Sequence, residues 1–140
     1  MDAAEASARV DRMIAHDPFM RSLGVKFMAG GPGHAAVQIR VKPAHLNFNG
    51  VCHGGVIFSL ADTAFGLAAN SYGRVAAGID THATFQVAVK AGDVLTATAR
   101  EVSRTRRLAV YRVDVTRAGD GVVVATLTGT VYILEKHIDV

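Results

Sequence analysis

The pattern of apolar and polar positions divides the chain into a mixed first part and a strand-rich second part. The segment from Asp2 to about His16 has the period of a short amphipathic helix, which Asp17-Pro18 ends because proline disfavours a helical residue before it. Two strands are predicted next, Val25 to Met28 and His34 to Val41, around the turn-forming sequence AGGPG. A polar loop from Lys42 to Cys52 follows.

The sequence VIFSLADTAFGLAAN, from Val56 to Asn70, predicts a second helix of a different kind. It contains no proline, consists mostly of good helix formers, and has apolar residues on every face. A helix that is apolar all round is expected to be buried. Asn70-Ser71 and Gly73 supply its end.

After Arg74 the apolar period changes to two, which predicts strands. The predicted strands are Ala76 to Val89, Val94 to Ser103, Leu108 to Thr116 and Val122 to Leu134. Short turns at 91–93 and Asp120-Gly121 join them and predict antiparallel neighbours. The predicted fold class is α+β, with a curved antiparallel sheet wrapped around the central apolar helix. We expect one domain over 1–140, with residues 1–22 as an N-terminal helical segment.

Composition narrows the class of protein. Half of the residues are hydrophobic and 19% are charged, a globular balance. Because Cys52 is the single cysteine, an intrachain disulfide and a cysteine metal cluster are excluded. The chain shows no signal-peptide pattern and no bilayer-spanning apolar run, so we expect a cytoplasmic protein that does not bind membranes.

Charge points to a small anionic ligand at least as well as to nucleic acid. The net charge is +3, and the densest basic region, 100–117, contains six arginines. Nucleic-acid-binding proteins usually carry a denser basic stripe, so we expect no nucleic-acid partner. The arginines either lie on solvated strand faces or bind a phosphate-bearing ligand.

Asp62 is the only charged residue between Lys42 and Arg74, in the middle of the apolar helix. A buried carboxylate must be hydrogen-bonded, paired or shifted toward neutrality. One interpretation is a salt bridge to an arginine of the later strands. The other is a carboxylate that acts as base or nucleophile in a dry site.

His53-Gly54-Gly55 precedes the same helix. It is either a plain helix start, or a site where free backbone N–H groups hold a developing oxyanion. Gly54 and Asp62 are eight residues apart, which is about 12 Å along a helix. They therefore cannot act on one carbonyl within one chain. If the site is catalytic, antiparallel helices of two subunits must bring them together, which predicts a homodimer with composite sites.

Other catalytic arrangements are poorly supported. His45 and His53 lack a matching set of acidic or cysteine ligands, so no metal site is expected. No G-x-S-x-G sequence marks a serine hydrolase. Cys52 directly precedes His53 and is expected to be a buried, inert thiol.

The spacing N-x-x-G-x-x-H-G-G, from Asn47 to Gly55, followed by Leu60-Ala61-Asp62, resembles the hot-dog-fold acyl-coenzyme A thioesterases. Within them it is most similar to the phenylacetate-degradation type. Weaker similarity continues through 92–99 and 110–115. The family often carries a proline before the Gly92-Asp93 turn, but this chain reads FQVAVKAGD there. The edge of the acyl or coenzyme A site is expected to differ accordingly.

The resemblance implies an acyl-coenzyme A substrate, with an aromatic acyl group of the phenylacetyl or hydroxyphenylacetyl type, and no cofactor. It implies that Asp62 is the base or nucleophile and that the Gly54 N–H polarises the carbonyl. Asn47 and His53 would position the carbonyl or the water, and dimers would pair into tetramers. From position and charge we add a further set of expected substrate contacts: Gly55, Phe65, Arg106 and Arg107.

Two other functions fit the same residues. A hydro-lyase acting on enoyl-thioesters would also pair a histidine and a carboxylate near the helix. A non-enzymatic acyl-coenzyme A-binding protein is the second alternative, but it would not need Asp62.

Overall fold

A computed structural model describes all 140 residues. It contains three α-helices and one six-stranded antiparallel sheet with the order β1-β2-β4-β5-β6-β3. The helices are α1 (Ala3–Ala15), α2 (Pro18–Leu23) and α3 (Gly54–Asn70). The strands are β1 (Lys26–Gly31), β2 (His34–Arg40), β3 (Arg74–Phe85), β4 (Val94–Arg104), β5 (Leu108–Arg117) and β6 (Val123–His137). The predicted α+β class is confirmed.

The core lies between α3 and the inner face of the sheet. Alternate residues of β2, β4, β5 and β6 are buried, as expected for strands with one face on a core. Phe65 of α3 packs edge-on against Tyr111 of β5, with ring centroids 5.9 Å apart. Gly129 of β6 makes room for this ring, because a Cβ there would lie 2.7 Å from Cζ of Phe65. The central helix therefore packs closely on the sheet through the Phe65 ring, which contacts Tyr111 and the backbone at Gly129.

The predicted pairing of β3 with β4 as chain neighbours is wrong. β3 pairs with β6 at the edge of the sheet, whereas β4 lies between β2 and β5. The chain leaves the sheet after Phe85, earlier than the predicted end at Val89. Val89 is 1% exposed, and its carbonyl accepts a hydrogen bond from the Cys52 N–H at 2.7 Å. Residues 85–89, which we call the crossing segment, pack against the start of α3. The alternation of apolar residues along a strand does not reveal such a contact between distant parts of the chain.

The N-terminal segment contains a helix that the sequence pattern did not predict. Asp17-Pro18 ends the first helix as expected but also begins α2. The Asp17 side chain caps α2 by accepting the Met20 N–H at 3.1 Å, and Pro18 occupies the first turn. Proline is favoured there because it needs no N–H partner. Met20 is then buried, which fastens α2 to the protein.

Candidate active site

The start of α3 holds one free backbone donor and one occupied one. His53 is the N-cap, and its Nδ1 accepts the Gly55 N–H at 2.8 Å. A Cβ at Gly55 would lie 3.0 Å from that nitrogen, so glycine leaves room for the cap. The Gly54 N–H has no acceptor in the protein. Gly54 is thus the residue whose N–H can meet a ligand, and Gly55 serves the cap.

The cap also determines which ring nitrogen of His53 can donate. Because Nδ1 accepts a hydrogen bond, the neutral ring carries its proton on Nε2. His53 is exposed, so Nε2–H is a second donor at this end of the helix. Donors of this kind suit an oxygen on which negative charge develops.

Asn47 lies in the tight turn before the helix. Its Oδ1 accepts the N–H groups of Asn49 at 2.9 Å and Val51 at 3.4 Å, as in a side-chain-stabilised turn. Its amide Nδ2 has no partner in the protein. Asn47 therefore builds the loop with one end of its amide and leaves the other end free.

Asp62 is exposed, contrary to the expectation for an all-apolar helix. One stripe of the helix is exposed at Gly55 and Asp62 and half-buried between and beyond them, at Ser59, Gly66 and Asn70, whereas eight residues on the other faces are buried. Of the two interpretations, the salt bridge to a later arginine is absent, and the carboxylate has no hydrogen-bond or ion-pair partner in the protein. The period of apolar residues did not reveal the stripe because most of its members are small.

The Asp62 carboxyl faces a cavity of about 370 Å³. The cavity partly shields the exposed residue from water, and this desolvation raises the pKa of Asp62. Asp17, Ser59, Thr63, Gly66 and Asn70 are the remaining polar or small lining residues. The apolar lining of the cavity comes from α1, α2 and α3 and consists of Met13, Phe19, Met20, Phe58 and Leu67.

A second cavity, of about 260 Å³, lies beside Gly54 at the N-terminal end of α3. It is mainly apolar and is lined by 51–52, Gly54, Ile57 and the crossing segment 85–89. Because α3 is continuous from Gly54 to Asn70, about 12 Å of helix separates Gly54 from Asp62. A single chain therefore holds two separate candidate regions, each open to the outside, which we call the Gly54 half-site and the Asp62 half-site.

Comparison with known proteins identifies the family. The model of the thioesterase superfamily matches residues 49–124, which include the end of the loop before α3, all of α3, the strands β3, β4 and β5, and the first two residues of β6. The acyl-coenzyme A thioesterase PaaI of Escherichia coli is 37% identical over 103 residues, covering 74% of each chain. The chain belongs to the thioesterase superfamily. It is a thioester hydrolase with the hot-dog fold, and the two alternative functions receive no support from these matches.

Solved structures agree with this assignment. The E. coli PaaI protein, from the phenylacetic acid degradation operon, superposes with a TM-score of 0.94 at 31% identity, covering 98% of this chain and 99% of its own. A variant of PaaI from Thermus thermophilus gives a TM-score of 0.81 at 42% identity, covering 84% of this chain and all of its own. A Streptococcus mutans protein solved with acetyl coenzyme A gives 0.77 at 31% identity, with 81% and 91% covered.

The remaining expected contacts of this thioesterase lie apart from the two half-sites. Phe65 is 2% exposed and packs in the core, so we assign it to packing and not to substrate contact. Arg106 and Arg107 lie in the exposed β4–β5 turn, where both pair with Glu135 at 3.4 and 3.1 Å. That turn lies near the part of β6 that pairs with the start of β3, just after the C-terminal end of α3, because the Arg107 carbonyl accepts the Ile133 N–H.

The two side chains that the sequence analysis set aside, Cys52 and His45, are both buried in the thioesterase. Burial, and secondarily the charge of Asp93, raises the pKa of Cys52 to about 11, so the thiol stays protonated near neutral pH. His45 is buried, and its Nδ1 accepts the Lys42 N–H at 3.0 Å. No three histidine, cysteine or acidic side chains come together as metal ligands, and none of the helices is both long and apolar enough to cross a bilayer.

Sequence reasoning missed the wall that the N-terminal segment contributes to the Asp62 cavity. Thr63, next to Asp62, places its hydroxyl 2.6 Å from the Met20 sulfur. This contact connects α2 to the turn of α3 that carries the carboxylate. The only sequence signal was the pair Asp17-Pro18, which marks a helix start as well as a helix end.

Proposed function

We propose that this thioesterase hydrolyses an aromatic acyl-coenzyme A at a site composed of two subunits. Gly54, His53 and Asn47 of one subunit would bind the thioester carbonyl, and Asp62 of the other would supply the carboxylate. The observation that carries the proposal is that Asp62, on an open helix face, has no partner in its own chain. An unpaired carboxylate with a raised pKa in a cavity is typical of a catalytic group.

The edge strand β3 supports a dimer. It pairs with β6 on one side only, and residues 77–82 are all exposed, including Ile79 at 58%. Long exposed edge strands are sites of pairing with another chain. Antiparallel pairing of two β3 strands would bring the open stripes of the two α3 helices together. Two such dimers would form the tetramer that the family resemblance implies.

The chemistry follows from the donors and the base. Asp62 would take a proton from water as the water attacks the carbonyl carbon, or would attack that carbon itself and leave an anhydride for water to open. In either route the carbonyl oxygen gains negative charge beside the Gly54 N–H and the His53 Nε2–H. Collapse of the tetrahedral intermediate breaks the carbon–sulfur bond and releases coenzyme A as a thiolate, which takes a proton from Asp62 in the first route and from solvent in the second. The Asn47 Nδ2 would hold the carbonyl or the water.

The two cavities suit the two halves of the substrate. The Asp62 cavity has Phe19 and Phe58 in its wall and would take the acyl group, since aromatic side chains pack well against an aromatic ring. The apolar cavity beside Gly54 would take the pantetheine arm. The N-terminal segment 1–22 would then act as part of a single domain over 1–140. Arg106 and Arg107 share one carboxylate, which leaves an uncompensated positive charge for a phosphate.

A thiol-release assay across acyl-coenzyme A esters tests the proposal, with Asp62→Asn beside the wild type. The substitution keeps the size of the side chain and removes its basicity. We expect turnover to fall by about 10²–10⁴-fold, the usual contribution of a general base, with an unchanged melting temperature. Turnover near that of the wild type would exclude Asp62 from the mechanism, and preference for an aliphatic acyl group would exclude the aromatic substrate.

A further inference from the structure

A third cavity, of about 270 Å³, lies at the corner of the sheet where β1 and β2 meet the start of β4. Three of its lining residues carry positive charge, and none carries negative charge. The lining consists of Gly24, Lys26, Gln38, Ile39, Arg40, Lys42 and Val94. This composition differs from that of both half-sites, which contain no lysine or arginine.

Strand register explains why the cations converge. Lys26 of β1 lies opposite Gln38 of β2, and Arg40 follows two residues later on the same face. Lys42 comes from the next segment, and its Nζ reaches to 3.2 Å from the place where a Cβ at Gly24 would stand. Gly24 has φ +77°, so a larger side chain there would be both strained and in the way.

The three cations are not neutralised by the protein. Every ion pair of the chain involves other residues. The Arg40 guanidinium donates only to the Gly92 carbonyl, at 3.3 Å. Like charges around one concave surface repel one another and raise the local concentration of anions. The cavity therefore suits a ligand with several negative charges, and phosphate groups match both guanidinium and ammonium donors.

Lys42, at this cavity, is linked through hydrogen bonds of His45 to the residue that caps α3. The Lys42 N–H donates to Nδ1 of His45 at 3.0 Å, and the His45 carbonyl accepts the N–H of His53 at 2.8 Å. On the other side, the Val41 N–H donates to the Asp93 carbonyl in the turn before β4, and the Cys52 N–H donates to the Val89 carbonyl in the crossing segment. The base of the loop that ends in His53 thus carries one of the three cations.

We propose that Lys26, Arg40 and Lys42 form a phosphate-binding site that holds the nucleotide end of coenzyme A. This assignment rests on the proposed function, because the thioester must lie at Gly54 for the pantetheine arm to lead toward this corner. A free nucleotide offers the same phosphate chemistry and is the other source of ligand. The Arg106 and Arg107 turn is a separate cluster and can be tested in parallel.

Comparison of two substrates tests the site directly. Lys26→Gln and Lys42→Gln are measured with one acyl group carried either by coenzyme A or by pantetheine, which lacks the phosphates of the nucleotide. We expect each variant to raise KM for the coenzyme A ester by about two- to fivefold, the range for exposed ion pairs, and to leave KM for the pantetheine ester unchanged. Lys136→Gln, which removes an unpaired charge at the end of β6, is the matched control.

The outcomes separate this site from the catalytic proposal. Equal effects on both substrates, or none on either together with no nucleotide binding, would overturn the phosphate site. Calorimetric titration with adenosine 3′,5′-bisphosphate measures binding without turnover, and we expect Lys26→Gln and Lys42→Gln to weaken it. Nucleotide binding that these variants weaken, with KM unchanged for both substrates, would assign the cavity to a free nucleotide and overturn its role in holding coenzyme A. An inactive wild type that still binds the nucleotide through these lysines would contradict the proposed function alone.

Discussion

Replacing Gly54 by proline deletes one hydrogen-bond donor from this thioesterase with little expected change in the fold. Gly54 is the first residue of α3, where proline is favoured, and its N–H has no acceptor to lose. The preceding residue, His53, has φ −60° and ψ 134°, the extended conformation that proline requires before it. The backbone of this helix start is therefore already compatible with proline.

The expected loss comes from the oxyanion alone. Removal of one donor to a developing oxyanion costs about 10²–10³-fold in kcat, or about 3–4 kcal/mol of transition-state stabilisation. Thermal unfolding should stay within a few degrees of the wild type, since no hydrogen bond or core contact is lost. The assay is steady-state thiol release with the preferred acyl-coenzyme A, alongside a melting curve for each variant.

Gly54→Ala is the matched control because it adds a side chain and keeps the N–H. Its Cβ would lie 3.7 Å from the Phe85 ring, an ordinary van der Waals contact. We expect this variant to retain most of its turnover. The reasoning is refuted if Gly54→Pro keeps near wild-type kcat with an unchanged melting temperature, or if the alanine variant loses as much activity as the proline variant.

Three further predictions concern the base, the acyl wall and the core. The acid limb of the kcat/KM profile should have its midpoint above 3.8, the ordinary pKa of an aspartate, because desolvation raises the pKa of Asp62 and only the ionised form acts; a midpoint at or below 3.8 would contradict this. Phe19→Ala should lower kcat/KM for aromatic relative to acetyl esters by about tenfold, because Phe19 lines the Asp62 cavity. The control Met28→Ala, at an exposed residue outside the cavity, should leave this ratio unchanged. Equal loss with all esters would argue against a contact between Phe19 and the acyl group. Gly129→Ala should lower the free energy of unfolding, measured in urea, by about 1–3 kcal/mol, because its Cβ would stand 2.7 Å from Phe65. In the double variant Gly129→Ala/Phe65→Leu the loss should be smaller than the sum of the two single losses. A loss equal to that sum would refute the clash.

Much of the fold could be predicted from local pattern. The helix from Val56 to Asn70 is observed as α3, extended by the two glycines before it, and the apolar alternation located the strands to within a few residues. These features depend on period and turn residues, which lie in adjacent sequence. The position of β3 at the sheet edge depends on the path of the crossing segment, which packs on the start of α3 through Val89. Local period cannot encode such a contact.

The candidate site was predicted only in part, for similar reasons. Asp62 and Gly54 stood out because a lone charge and a paired glycine are visible in the sequence. The sequence did not show that the Gly54 N–H is free whereas the Gly55 N–H is used by the helix cap. That difference depends on the orientation of the His53 ring, whose Nδ1 accepts the Gly55 N–H. The exposure of Asp62 was also missed, because a stripe of small residues has the same apolar period as a buried face. The basic cavity is formed by residues of three separate segments that only the sheet register brings together.

The central claim, a site shared between two subunits, is tested most directly by mixing two inactive variants. Gly54→Pro and Asp62→Asn are unfolded together, refolded as a 1:1 mixture and assayed beside each variant alone. In a mixed dimer one site would carry both substitutions and the other would carry neither. Random pairing should therefore restore about a quarter of the wild-type activity. If both groups act within one chain, every site would carry one defect and the mixture would stay as inactive as its parents.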